Sequence, residues 1–117
     1  MSLTIASWNV NSIKARIENV TAWLKDKAPD VVCLQELKCV DEAVPREALE
    51  DCGYNVETVG QKTYNGVALL SKAPIEEVAL RALPLLDGDE EDEQARYLEC
   101  VISAERGPVR IASLYLP

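Results

Sequence analysis

The sequence predicts an α/β (α+β) fold, and three observations predict it. An alternating strand, an amphipathic helix and a wholly apolar strand follow one another at the start, a βαβ-like opening. Only one further short helix can be placed after them. The rest reads as strands separated by Gly, Pro and Asn turns, and the resulting total of about seven strands needs either two stacked sheets or one wide one.

The first strand is Leu3-Thr-Ile-Ala-Ser-Trp-Asn-Val10. Leu3, Ile5, Ser7 and Asn9 fall on one face, and Ala6, Trp8 and Val10 on the other, because strand side chains alternate. Asn11 or Ser12 can cap the next element. Ile13, Ile17, Val20 and Leu24 then recur on one helical face, Lys25 and Lys27 suit the negative C-terminal end, and Pro29 stops the helix.

The stretch Asp30-Val-Val-Cys-Leu-Gln-Glu36 has four apolar residues without alternation, the pattern of a strand buried on both faces. Residues 38–44 read as loop. Pro45 as a first helical residue, Leu49 as a core position and Gly53 as a stop place a short helix over 45–52. Tyr54 to Val59 alternates as a strand, 60–65 is a polar loop, and Gly66 to Ser71 is another buried strand. Ala73-Pro74 turns the chain into a strand over Ile75 to Leu80. Leu83 to Gln94 reads as a solvated acidic loop. Tyr97 to Ala104 and Val109 to Leu116 form two strands joined across Glu105-Arg106-Gly107-Pro108, a hairpin signal. With an apolar strand running up to Pro117, residues 1–117 read as the front part of a larger fold, or as a chain that borrows its missing half.

Composition bounds the chemistry. The chain of 117 residues is 48% hydrophobic and 27% charged, which describes a soluble globular domain, not a disordered segment. No apolar run approaches bilayer length and no signal peptide precedes the first strand, so a cytoplasmic protein without membrane contact is expected. Cys33, Cys39, Cys52 and Cys100 show no zinc spacing and read as reduced thiols. The net charge of −8 argues against a protein that coats nucleic acid generally. Six carboxylates between Asp87 and Glu93 account for most of it, and the nearly neutral remainder can still carry a positive groove. With no histidine in the chain, neither a histidine base nor a Ser-His-Asp triad can be assembled from it.

If the first two core strands run parallel, as a helical crossover favours, Asn9, Asn11 and Glu36 close the same end of the sheet. A hard cation such as magnesium takes one or two carboxylates and completes its shell with water and phosphate oxygen. Glu36 beside an asparagine fits that need; the plainer alternative is a solvated glutamate at a strand end.

Four segments carry a resemblance: Ser7-Trp-Asn-Val-Asn-Ser12, Leu34-Gln-Glu-Leu-Lys38, Tyr64-Asn-Gly-Val-Ala68 and Leu114-Tyr-Leu-Pro117. Together they resemble the exodeoxyribonuclease III and apurinic/apyrimidinic (AP) endonuclease family, within the endonuclease/exonuclease/phosphatase superfamily. Gly53-Tyr54 and Gln94-Ala-Arg-Tyr97 also fall in register. The first two segments mark only the superfamily, which includes phosphatases, and the last two point to its DNA-repair branch.

The resemblance implies the N-terminal half of a four-layered αββα sandwich and a DNA phosphodiesterase that uses magnesium or manganese. It implies a metal-binding role for Glu36, with Asn9 orienting metal and phosphate. Asn11 stands where some relatives carry an aspartate near the metal. Lys38 resembles a partner of the glutamate, and Tyr115 the tyrosine that contacts the scissile phosphate. Tyr64 and Asn65 resemble a loop gripping the DNA backbone, and Arg96 a basic residue of the same groove. The implied partner is double-stranded DNA with abasic sites or 3′ ends, bound by a monomer when full length. The family's Asp-x-Asn segment, its second acidic metal residue and its terminal Ser-Asp-His are absent. An isolated 117-residue chain is therefore expected to have little or no activity; the alternatives are a non-catalytic remnant or half-domain that pairs with a second chain, and a metal-dependent phosphatase of the same superfamily.

Overall fold

The structure, a computed structural model, describes residues 3–82 and 94–116. β1 is Ile5–Asn9, α1 Ile13–Lys27, β2 Val31–Gln35, α2 Arg46–Glu50, β3 Asn55–Val59, β4 Val67–Ser71, β5 Ile75–Leu80, β6 Tyr97–Ala104 and β7 Gly107–Leu114. They build two sheets, one ordered β1-β2-β4-β3 and the other β5-β6-β7.

β1 and β2 are parallel, with Asn9 opposite Gln35, and β4 runs antiparallel to both β2 and β3. β2 and β4 are buried at every residue because each has a layer on both faces. On one face, Val32, Leu34, Ala68 and Leu70 pack with Ile13, Val20 and Leu24 of α1 and Leu49 of α2. On the other, Val31, Cys33, Val67 and Leu69 meet Leu98, Cys100, Ile102 and Ile111 of the second sheet. The continuous apolar runs at 31–34 and 67–70 are thus explained by burial from two sides. The layers run helix, sheet, sheet. Among the described residues no helix covers the outer face of the second sheet, so three of the four expected layers are seen.

Local chemistry explains the elements. The Ser12 hydroxyl caps α1 by accepting the Ala15 N–H at 3.2 Å, as N-terminal caps do. Ala28, in the left-handed region, donates to the Leu24 carbonyl at 2.9 Å and closes the helix, the usual C-terminal device. Trp8 of β1 meets Trp23 of α1 edge-on, with ring centres 5.3 Å apart, an arrangement that aromatic pairs prefer. The Tyr54 hydroxyl donates to the Pro29 carbonyl at 2.6 Å and ties β3 to the helix exit.

Several expectations need correcting. Pro45 is the capping residue of α2, which is shorter than 45–52 and follows a 3-10 turn at Asp41–Ala43 inside the expected loop. The β6–β7 turn is only Glu105-Arg106. Gly107 already pairs with Ala104, since its φ of +125° lets the strand begin there, and the strand ends at Leu114, not Leu116. The expected acidic loop, Leu83 to Gln94, lies outside the described residues apart from Gln94. All four cysteines are free, and burial pushes the Cys33 and Cys100 thiols up to about 11. Neither therefore supplies a thiolate at neutral pH. Among the described residues, no helix is long and apolar enough to cross a membrane.

Asp41 pins the start of the loop after β3. Its carboxylate accepts the Thr58 hydroxyl at 2.6 Å and the Gly60 N–H at 2.7 Å. A Cβ at Gly60 would lie 2.6 Å from both the Asp41 nitrogen and the Cys39 carbonyl oxygen, and backbone cannot move aside as a side chain can. Gly60→Ala is expected to lower stability by about 1–3 kcal/mol, the usual range for overpacking. Equilibrium urea denaturation checks this, and an unchanged midpoint would mean that the loop lies elsewhere.

Candidate functional site

One end of the first sheet is built from three loops that go on hydrogen-bonding after the strands stop. After β1, Val10, Ser12 and Ile13 donate N–H groups to the carbonyls of Gln35, Glu36 and Leu37 at 3.0, 2.8 and 3.2 Å. On the other side, Leu37 and Lys38 donate to Gly66 and Asn65 at 3.1 and 2.9 Å. The segment 36–38 is therefore held between the loop after β1 and the loop before β4.

This arrangement needs unusual backbone. Among the described residues, seven other than glycine have positive φ, and six of them lie in these loops: Asn11, Ser12, Glu36, Lys38, Thr63 and Asn65. For residues other than glycine and asparagine this region costs about 1–2 kcal/mol each. Such strain persists where the surroundings over-determine it, commonly at functional sites. Gly66 is required by both conformation and space: its φ is +92°, and an added Cβ would lie 2.9 Å from that of Leu37.

The second sheet reaches the same end through a buried polar node. The Gln35 amide donates to the Ser7 hydroxyl at 3.1 Å, the Cys33 carbonyl at 3.2 Å and the Ser113 hydroxyl at 3.4 Å, and Ser113 donates to the Leu34 carbonyl at 3.1 Å. This seats the end of β7 under β2. Two residues later the Tyr115 hydroxyl donates to Glu36 Oε1 at 2.5 Å.

That bond dominates the electrostatics. It holds the Glu36 carboxyl below the usual carboxylate range, with the Asn9 amide and the Lys38 charge assisting against partial desolvation. The same bond pushes the Tyr115 hydroxyl up. Glu36 is thus an anion at neutral pH, and Tyr115 a neutral donor.

Glu36, Lys38, Tyr64, Asn65, Arg96 and Tyr115 line one groove of about 400 Å³, together with Gln61 and Gln94. Asn9 and Asn11 stand at its edge, where the Asn9 side-chain Oδ1 accepts the Asn11 backbone N–H at 3.1 Å. All eight residues singled out from the sequence therefore gather at one end of the molecule. The contact made by Lys38 differs from expectation. Its ammonium donates to Asn11 Oδ1 at 2.6 Å and acts on Glu36 only through its charge, so a cation already faces the oxygen by which Asn11 could ligate. Sequence reasoning missed Gln61, Gln94 and the Gln35–Ser113 node. The signal for Gln35 was a polar residue ending an apolar run, and that for Gln94 its place in the segment Gln94-Ala-Arg-Tyr97; Gln61 carried none.

The donor set suits a hard cation. Glu36 offers one ionised carboxylate and Asn9 an amide oxygen with one lone pair left beside the Asn11 N–H, which fits an ion that fills its remaining positions with water and phosphate. Among the described residues no three His, Cys, Asp or Glu side chains cluster. A protein-only cage of the kind zinc prefers is therefore not formed by them.

Comparison with known proteins finds relatives along nearly the whole chain. Exodeoxyribonuclease III of Haemophilus influenzae is 39% identical over 111 residues, which span 95% of this chain and 40% of that protein. An AP endonuclease from Archaeoglobus fulgidus superposes with a TM-score of 0.84 at 34% identity, over 99% of this chain and 42% of its own. A 3′ phosphatase from Neisseria, solved with a product DNA hairpin, superposes with a TM-score of 0.83 at 36% identity, over 97% and 41%. The chain spans about 40% of the length of these relatives. The model of the Endonuclease/Exonuclease/phosphatase family matches residues 6–111, nearly the whole chain, and this chain belongs to that family.

Proposed function

We propose that residues 1–117 are the N-terminal part of a divalent-metal-dependent DNA-repair nuclease and supply its metal- and phosphate-binding lip. The reactions are 3′-to-5′ exodeoxyribonuclease and AP-endonuclease hydrolysis of phosphodiesters, on double-stranded DNA with 3′ ends or abasic sites. The observation that carries this reading is the Tyr115–Glu36 bond inside a groove lined by Lys38 and Arg96.

The Glu36 carboxylate, with the Asn9 amide oxygen beside it, would hold magnesium or manganese. When bound, that ion supplies Lewis-acid polarisation of the phosphate and offsets charge on the leaving oxygen. Tyr115 keeps its proton; its single O–H, which donates to Glu36 here, would turn from that carboxylate to donate to a phosphate oxygen. Lys38 and Arg96 balance phosphate charge, and Tyr64, 67% exposed, lies with Asn65 where the nucleic-acid backbone would pass. Among the described residues Glu36 is the one carboxylate that lines the groove, and with it committed to the ion and to Tyr115 no second carboxylate or histidine remains there to take a proton from water. The isolated chain is therefore expected to give little or no cleavage of an abasic-site duplex with magnesium. Mixing it with the separately produced remainder of the Haemophilus relative is expected to restore cleavage. Turnover by the chain alone at the level of the intact relative would refute the reading.

A second reading, a non-catalytic half-domain that pairs with another chain, is favoured by uncovered apolar surface. Ile5 is 54% exposed and Leu116 68%, and a hollow of about 300 Å³ opens between Leu3, Ser71, Ile102 and Val109. A third reading, phosphatase chemistry in the same groove, is favoured by the likeness to the Neisseria 3′ phosphatase. Four free thiols support a reducing compartment, the cytoplasm, and we take the full-length protein to be a monomer.

A further inference from the structure

Gln61 begins the loop that carries Tyr64 and Asn65, and its backbone N–H donates to the Cys39 carbonyl at 3.0 Å. Its side-chain oxygen accepts two hydrogen bonds, from Asn65 Nδ2 at 3.1 Å and from the Ala95 backbone N–H at 2.9 Å. A backbone N–H can only donate, so flipping the amide would set donor against donor and the orientation is fixed. Beside it, the Gly66 N–H donates to the Ala95 carbonyl at 2.8 Å. The next residue, Arg96, accepts the Tyr115 N–H on its own carbonyl at 2.8 Å. One oxygen thus spans from the Tyr64–Asn65 wall to the wall that carries Arg96 and seats Tyr115.

We propose that Gln61 is a positioning residue of this groove. Its carbonyl oxygen locks the two walls together and sets the separation between Asn65 and Arg96 at which a phosphodiester backbone is gripped. The lock is a feature of the geometry alone; its bearing on nucleic acid rests on the function proposed above. Gln61 is only partly exposed, and it is the side chain of the loop from 60 to 66 that holds the Ala95 N–H.

Three forms of the chain test this: wild type, Gln61→Met and Gln61→Glu. Methionine keeps length and bulk without an acceptor, whereas glutamate keeps the acceptor. Amide exchange read by NMR is expected to show the Ala95 N–H about tenfold less protected in Q61M, the scale of one lost hydrogen bond. It should remain as protected in Q61E as in wild type, with the amides of β2 and β4 unaltered in all three. Affinity for an abasic-site duplex, measured by fluorescence anisotropy, is expected to fall about tenfold in Q61M by the same scale. Equal protection of Ala95 in Q61M and wild type overturns the lock, and so does loss of protection in Q61E. Loss of protection in Q61M with unchanged affinity overturns its role in gripping DNA. Failure of the wild-type chain to bind the duplex removes the nucleic-acid reading before any variant is compared, while the exchange data still decide the lock.

Discussion

Leu69→Ala is expected to lower the free energy of unfolding by about 3 kcal/mol, within the range for deleting a buried leucine side chain. Leu69 sits at the middle of β4, is fully buried, and faces Leu98, Cys100 and Ile102 across the space between the sheets. Its strand is held from both sides by β2 and β3, so the backbone cannot close the hole by drifting inward. Natural domains are stable by only about 5–15 kcal/mol. A loss of this size would therefore bring the chain close to its unfolding threshold. Equilibrium denaturation followed by circular dichroism measures it, with Leu116→Ala as the control. Leu116 is largely exposed. That change should stay within about 0.5 kcal/mol, as surface substitutions usually do. A loss under about 1 kcal/mol for Leu69→Ala, below the range for a buried leucine, would mean that the two sheets do not pack as described.

The position of Leu69 also marks what the sequence disclosed. The runs Val31–Leu34 and Val67–Leu70 could be read as strands buried on both faces because no polar residue interrupts them. The parallel pairing of β1 and β2 followed from the helix between them, since a helical crossover returns the chain in the same direction. What could not be read was which strand pairs with which beyond that unit. β4 inserts between β2 and β3, and no local pattern distinguishes this from a simple meander. Turn boundaries also slipped. Gly107 extends β7 through a positive φ, a freedom that the sequence shows only as a possible loop residue.

The groove was legible where a motif fixed it and opaque where tertiary hydrogen bonds did. Glu36 stood out as a carboxylate at the end of a buried run, and Tyr115 only through a resemblance. The contact between them depends on Gln35 and Ser113, two small polar contributions whose partners are 78 residues apart in sequence. Lys38 shows the same limit. The resemblance made it a partner of Glu36, but its ammonium donates to Asn11 Oδ1 instead.

Glu36→Gln is expected to abolish manganese binding at this groove. Added in small amounts, Mn²⁺ should broaden the NMR signals of amides within its paramagnetic reach. In the wild-type chain those are the amides around Asn9, Asn11, Glu36 and Tyr115. The substitution is nearly isosteric, and the new amide oxygen can still accept the Tyr115 hydroxyl, so the fold should be preserved while the charge is lost. Charge is what matters here, because a hard divalent ion with one protein carboxylate and one amide oxygen has little else to hold it. The competing possibility lies within the chain itself: six carboxylates between Asp87 and Glu93 can attract the same ion without any built site. The two are separated by which amides broaden. Broadening confined to residues near the acidic segment, or persisting around Asn9 and Tyr115 in Glu36→Gln, would show that Glu36 is not the ligand. Broadening around Asn9 and Tyr115 that disappears with the Glu36 charge would identify that carboxylate as the anchor of the ion.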